Sequence, residues 1–263
     1  MVEDHFSQQS GLYARYRPRY PDTVFRWLAE QAPAQDCAWD SATGNGQAAI
    51  GLASHFDTVI ATDLSTRQLS LATPHPAVRY VAAPSERAPI EDNNVDLVMV
   101  AQALHWFDLP KFFEEVRRVS RDGALLAVVS YGLFRVAPEI DTLIDHLYGG
   151  ILGSDWPPER VHVDSAYADL PFPFPAIPAP RFELREHWNL DHLLGFLGSW
   201  SATVRHKART GGDPLARIEA PLREAWGPAQ GRHTIRWPLA VKAGHVRRDQ
   251  TEPPARGRLY ASG

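Results

Sequence analysis

The stretch Asp40-Ser41-Ala42-Thr43-Gly44-Asn45-Gly46-Gln47 holds the residue types with the most chemistry in them. Glycines 44 and 46, between a candidate strand and a candidate helix, let a ligand approach bare backbone at a helix N-terminus, where unpaired N–H groups point outward. Gly44, Gly46 and Ala49 fit G-x-G-x-x-A, so spacing alone admits a nicotinamide or flavin dinucleotide beside S-adenosylmethionine. Charge separates the two. A dinucleotide would bring its pyrophosphate to this turn, where the Asp40 carboxylate repels it. S-adenosylmethionine carries a sulfonium and an ammonium and no phosphate, so Asp40 attracts it, directly or through ordered water. Asp63, closing the next candidate strand, lies near the ~20-residue offset at which an acid accepts hydrogen bonds from ribose hydroxyls. Ser85 and Glu86 follow a third candidate strand, where a polar pair can meet an adenine edge.

A second group of residues could meet another substrate. His105 and Trp106 follow a fourth candidate strand, on the side where open α/β sheets bind ligands. His105 is a candidate base or hydrogen-bond donor, with a satisfied structural histidine beside an aromatic wall as the competing reading. Near the N-terminus Arg15, Arg17 and Arg19 alternate with Tyr13, Tyr16 and Tyr20, and a guanidinium fork there could clamp a carboxylate. Tyr16 and Arg17 are taken as substrate candidates. Other chemistries lack their residues: there is no G-x-S-x-G elbow, no HExxH, no Walker lysine and no Cys/His set at zinc spacing. No metal is expected. The single cysteine, Cys37, forbids an internal disulfide and suits a reducing cytoplasm. A net charge of −4 leaves no cationic excess for a nucleic-acid backbone, and the apolar runs fall short of the ~18 residues of a membrane span. The expected partner is therefore a small molecule, with neither nucleic acid nor membrane involved; the sequence is silent on oligomeric state.

The elements that must position these residues are legible from hydrophobic periodicity. An amphipathic helix over residues 22–31 precedes a first strand ending at Asp40, the glycine turn and a helix from about Ala48. Strands are expected at Thr58–Thr62, Val78–Ala82, Val95–Ala101 and Ala124–Ser130, with helices over Gln68–Ala72 and Lys111–Val119. Strands alternating with helices imply a doubly wound, mostly parallel α/β sheet. Beyond Tyr131 prolines gather at 157, 158, 171, 173, 175, 178 and 180 among aromatic residues, too aromatic for a free linker. This stretch, about 134–231, is expected to form an ordered cover that shapes a substrate pocket. Within and after it the patterns predict a strand over Phe182–Leu190, helices over Leu193–Lys207 and Pro214–Ala225, and a strand over His233–Val241, the two late strands pairing antiparallel at the sheet edge. The Arg- and Pro-rich tail, 248–263, is expected to be loose, leaving 1–247 as one domain.

These residues resemble the class I S-adenosylmethionine-dependent methyltransferases, in particular the branch of trans-aconitate methyltransferase and the type 11 methyltransferase domains. The resemblance covers most of the chain. Its entry segment is Phe6, Ser7, Tyr13, Tyr16, Arg17, Pro18, Tyr20 and Pro21, its glycine motif Asp40–Gln47, its ribose motif Asp63–Gln68, and its adenine-side segment Ser85–Ile90 with Val95–Leu97. The string Ala101–Phe107, AQALHWF, is the most branch-specific. Ala42 stands where many members have glycine. The resemblance implies a seven-stranded Rossmann-like sheet with an antiparallel edge strand, and a cofactor site lined by Asp40, Ala42, Gly44, Gly46, Asp63, Leu64, Ser85, Glu86 and Gln102. It implies in-line methyl transfer to a small acceptor, a carboxylate or hydroxyl being the candidate group. Such a displacement needs alignment and exclusion of water more than a catalytic triad, so no catalytic side chain is assigned. A methyltransferase-like binder without turnover and a dinucleotide oxidoreductase stand as the alternatives.

Overall fold

The computed structural model describes residues 16–247. Tyr13, Arg15, Phe6 and Ser7 of the expected entry segment, and the tail 248–263, lie outside them. The first helix described in full is α1, Asp22–Gln31, which starts behind Pro21 and buries Val24, Phe25, Leu28 and Ala29 as its periodicity requires. Strand β1, Cys37–Ser41, leads through the glycine turn into α2, Gln47–Leu52. Next come β2, Thr58–Asp63, α3, Thr66–Leu69, β3, Val78–Ala82, and β4, Val95–Ala101. Helix α4, Leu109–Val119, starts on the Asp108 cap and buries Phe112, Phe113, Val116 and Val119, and β5 runs Ser120–Tyr131.

Parallel pairing joins β3 to β2, β2 to β1, β1 to β4 and β4 to β5, so the chain reverses direction of travel across the sheet at β1. That reversal opens a crevice at the strands' C-terminal ends. The strands read as continuous apolar runs because both faces are covered: Val95, Leu97, Val98, Met99 and Val100 of β4 are all fully buried. At the opposite end buried Asp96 accepts the Cys37 N–H at 3.0 Å and pairs with Arg121 at 2.9 Å, tying β1, β4 and β5 together away from the crevice.

After β5 the chain forms α5, Pro138–Asp145, a π-helical turn, His146–Ile151, α6, Arg160–Asp164, the two-residue strand β6, Ala176–Ile177, and β7, Phe182–Trp188. Helices α7, Leu190–Gly198, α8, Ser201–Thr210, and α9, Glu219–Trp226, precede β8, His233–His245. The sheet has eight strands in the order β3-β2-β1-β4-β5-β8-β6, with β7 also on β8. The extra strand over the expected seven is β6, too short to leave a period in the sequence. Strand β8 runs antiparallel to β5, β6 and β7 alike, so the reversed strand lies one place in from the edge, with β6 and β7 sharing its outer side. The helix expected over Leu193–Lys207 is two, because Trp200 takes an extended conformation (φ −66°, ψ 137°) and the Ser199 hydroxyl donates to the Phe196 carbonyl. The one expected over Pro214–Ala225 begins as a 3-10 turn on an Asp213 cap before α9. Among the described residues no helix is long and apolar enough to cross a membrane.

Candidate cofactor and acceptor site

Four strand ends build the first half of the site. Asp40 is fully buried at the end of β1; its Oδ2 accepts from the Thr43 hydroxyl and its Oδ1 makes no hydrogen bond of good geometry. Burial pushes the Asp40 carboxyl up to about 7, against a smaller downward pull from the Thr43 hydroxyl and the Ala49 amide. An unsatisfied oxygen on a buried acid is costly, and a cationic group placed there would remove the cost. The following turn is left-handed at Ala42 (φ 56°), Gly44 (φ 60°) and Gly46 (φ 84°). A Cβ at Gly46 would lie 2.4 Å from the Tyr80 hydroxyl, whereas one at Gly44 would meet nothing within 4 Å. The turn is thus packed from below at Gly46 and open above Gly44, as a cradle for a ligand must be.

Ala42 shows what a glycine at its position is for. A left-handed alanine costs about 1–2 kcal/mol, partly offset because glycine loses more freedom on folding. Ala42→Gly is expected to raise stability by about 0.5–1 kcal/mol, read as a higher urea midpoint at unchanged slope.

At the end of β2 Asp63 accepts the Gly44 N–H and the Ser65 N–H through its two oxygens, each at 2.8 Å, so this carboxylate shapes the turn. Leu64 beside it is 63% exposed, an apolar platform at the site's edge. Buried Ser85 accepts from the Ser41 hydroxyl at 2.8 Å, and Glu86 accepts the Asp108 N–H at 2.9 Å, fastening the loop after β3 to the cap of α4. Gln102 follows β4 in a left-handed conformation (φ 59°) and donates through Nε2 to the Tyr131 carbonyl at 2.8 Å.

Gln102 also opens the second half, a cleft where β4 and β5 end. His105, Trp106, Tyr131 and Phe134 line it from the core of the sheet, and Trp156, Arg160, Phe196, Trp200 and Trp237 from the later segments, with Arg17 at its wall. Arg17 lies over the Phe196 ring at 5.5 Å. Arg160 lies over Trp156 at 4.9 Å and donates through Nε to the Tyr148 hydroxyl at 2.8 Å. His105 shares a 2.8 Å hydrogen bond between Nδ1 and the Tyr167 hydroxyl. Burial, with the charges of Arg160 and His162 nearby, holds its imidazole down to about 4, so it is neutral at physiological pH. Tyr16 is not in the cleft wall: it packs on α7, where a Cβ at Gly195 would sit 2.4 Å from its ring, and edge-on to His192 at 5.1 Å. Arg19 is exposed and donates its N–H to Glu186. Trp156, Arg160, Phe196 and Trp237 escaped the sequence reading. The proline-aromatic texture around residue 156 announced order, but nothing local says which rings face inward. Among the described residues no cluster of three or more His, Cys, Asp or Glu could hold a metal ion.

A family model described as a methyltransferase domain matches residues 39–128. A Dictyostelium discoideum protein bearing a methyltransferase name is 30% identical over 233 residues, covering 87% of this chain and 89% of that one. One of Mycobacterium tuberculosis, also named a methyltransferase, is 29% identical over 218 residues, covering 82% and 85%. A solved structure from Anaeromyxobacter dehalogenans, named a type II methyltransferase, superposes with a TM-score of 0.85 at 50% identity, covering 88% of this chain and 99% of that one. With its sheet order these matches define a class I S-adenosylmethionine-dependent methyltransferase, and the chain belongs to that family. The dinucleotide alternative falls with this. The unsatisfied Asp40 oxygen and the open face above Gly44 fit the cationic, phosphate-free cofactor.

Proposed function

We propose that the enzyme methylates the carboxylate of a small, largely apolar acid. One observation carries this: among the described residues the cleft is lined by two arginines, Arg17 and Arg160, and by no acidic side chain, inside a wall of aromatic rings. An amine acceptor would call for a carboxylate to hold its ammonium, and a hydroxyl acceptor for a base. A carboxylate is already ionised at neutral pH and needs neither. Guanidinium forks match its two oxygens. Arg160 has its Nε committed to Tyr148 and Asp164, which leaves the terminal nitrogens for the acceptor.

In the cofactor half, Asp40 faces the cationic methionine end, the open backbone at Gly44 and the turn at Ala42 and Gly46 make room for it, and Gln102 borders the reacting end. Asp63 holds ribose hydroxyls, Leu64 packs on the adenine, and Ser85 and Glu86 meet its edge. Bound S-adenosylmethionine supplies an electrophilic methyl on a positively charged sulfur. With that methyl, in-line displacement by a carboxylate oxygen would give a methyl ester and the neutral thioether S-adenosylhomocysteine, which keeps the electron pair of the broken carbon–sulfur bond, with no proton to be moved. The chain's own work is to orient the carboxylate through Arg17 and Arg160 and to exclude water with Trp106, Trp156, Trp200 and Trp237. The domain spans 1–247 with 134–231 as its substrate-side cover, and the lone, buried Cys37 suits a cytoplasmic setting.

The test is transfer of labelled methyl to a panel of aromatic and aliphatic acids, with matched phenols and amines. Methyl esters formed from acids support the reading; transfer to phenols or amines alone overturns it. Arg17→Gln and Arg160→Gln are each expected to raise KM for the acid about ten- to a hundredfold with a smaller effect on kcat, the loss of one charge-assisted hydrogen bond.

A further inference from the structure

Tyr167 stands out from the segment that carries it. It is 1% exposed, yet its backbone is left-handed (φ 58°) directly after another left-handed residue, Ala166 (φ 54°). Glycine adopts that conformation freely and a bulky aromatic residue does not, so the surrounding contacts must hold it there. They are visible. The Tyr167 N–H donates to the His162 carbonyl at 2.7 Å, and Lys242 of β8 donates from Nζ to the carbonyls of Tyr167 and Leu170, each at 3.2 Å. The hydroxyl so placed meets His105 Nδ1 at 2.8 Å, with the two rings roughly parallel and 5.7 Å apart. A contact this dearly held between the cover and the strand-end loop invites a functional reading, since strain collects where geometry matters.

The direction of the hydrogen bond follows from the partners. A phenol is the stronger acid of the two N–H/O–H donors, and a neutral imidazole nitrogen is a far better acceptor than a phenol oxygen. The hydroxyl therefore donates and Nδ1 accepts. We infer that Tyr167 is a positioning residue that locks His105 in the tautomer bearing hydrogen on Nε2, so that His105 presents a donor, and not a base, to the cleft. With Nδ1 occupied, Nε2 is the ring's remaining polar atom, and His105 is a cleft-lining residue. That the donor meets an acceptor carboxylate rests on the function proposed above; the tautomer lock does not.

Long-range proton–nitrogen NMR spectra of the intact protein labelled at histidine nitrogens report which ring nitrogen carries hydrogen. His105→Gln identifies the signals by their disappearance. The wild-type protein is expected to show His105 protonated at Nε2 with Nδ1 as a hydrogen-bonded acceptor. In Tyr167→Phe, which keeps the ring, the ratio of Nε2–H to Nδ1–H is expected to fall about five- to tenfold, the weight of one hydrogen bond. Hydrogen on Nδ1 in the wild type, or an unchanged ratio in a folded Tyr167→Phe, overturns the assignment. If that variant does not fold, protein grown with 3-fluorotyrosine serves instead: its hydroxyl is a stronger donor, and the Nδ1 signal moves further toward the hydrogen-bonded position or the inference fails. An Nε2–H tautomer with no acid methylated would leave this inference standing and remove the carboxylate reading; the reverse pair of results would do the opposite.

Discussion

Affinity for S-adenosylmethionine is expected to rise about tenfold per pH unit below about pH 7 and to level above it, because binding a cation beside Asp40 expels a proton. The sign follows from burial. In the empty site the buried carboxyl titrates near 7, so below that pH it is mostly neutral. An ammonium or sulfonium stabilises only the ionised form, which lowers the carboxyl's pKa in the complex, and protons are released on binding wherever the free site still holds one. Calorimetric titrations at about pH 6 in two buffers of different ionisation enthalpy would count that proton. Asp40→Asn is expected to abolish both the proton and the pH slope, and to weaken binding above pH 7. A slope that survives in Asp40→Asn would assign the proton elsewhere. The same burial makes the cofactor-free protein lose stability as pH rises from about 4 to 7, since the native carboxyl holds a proton that the unfolded chain gives up. Thermal stabilisation by the cofactor is therefore expected to be larger at pH 8 than at pH 5.5.

Asp63→Ala is expected to reduce cofactor affinity by about two to three orders of magnitude, the loss of ribose contacts plus a disordered turn. Two effects combine because the Asp63 oxygens already accept the Gly44 and Ser65 amides. Removing them leaves both N–H groups unsatisfied at the part of the turn that the cofactor must approach. Asp63→Asn keeps an acceptor for one amide and the shape of the side chain, so it is expected to fall between alanine and wild type. Calorimetry measures the affinity, and a urea midpoint measures the turn. Equal affinity in Asp63→Ala and wild type would remove Asp63 from the ribose site.

The candidate cofactor half can be proposed from the sequence because its residues are local to one turn or one strand end. Asp40 and Gly44 stand four positions apart, Asp63 closes a β-branched strand, and each strand end advertises itself by turn residues. Periodicity likewise gave the first five strands, since β1 to β5 are bounded by polar or Gly-containing turns. The acceptor half depends on pairings between distant segments. Trp237 reaches the cleft because β8 runs antiparallel beside β5, with Leu239 opposite Tyr131. Trp200 reaches it because the expected single helix breaks at that residue, and Arg160 because a short helix follows Trp156 and two prolines. None of these placements has a local period. The entry segment shows the same dependence: Tyr16 and Arg17 both pack on α7, one turn apart, against His192 and Phe196, and of the two only Arg17 lines the cleft among the described residues.

The family match ends at residue 128, and the cleft draws Leu133, Phe134, Trp156, Arg160, Phe196, Trp200 and Trp237 from beyond it. The glycine turn with its acids and most of the cleft wall thus stand on different stretches of one chain. Strand β8 ties the two together, being hydrogen-bonded to β5 and to β7. Wall residues on α6, α7 and β8 can therefore be exchanged for others, and the pocket reshaped, without touching the glycines at 44 and 46 or the acids at 40 and 63.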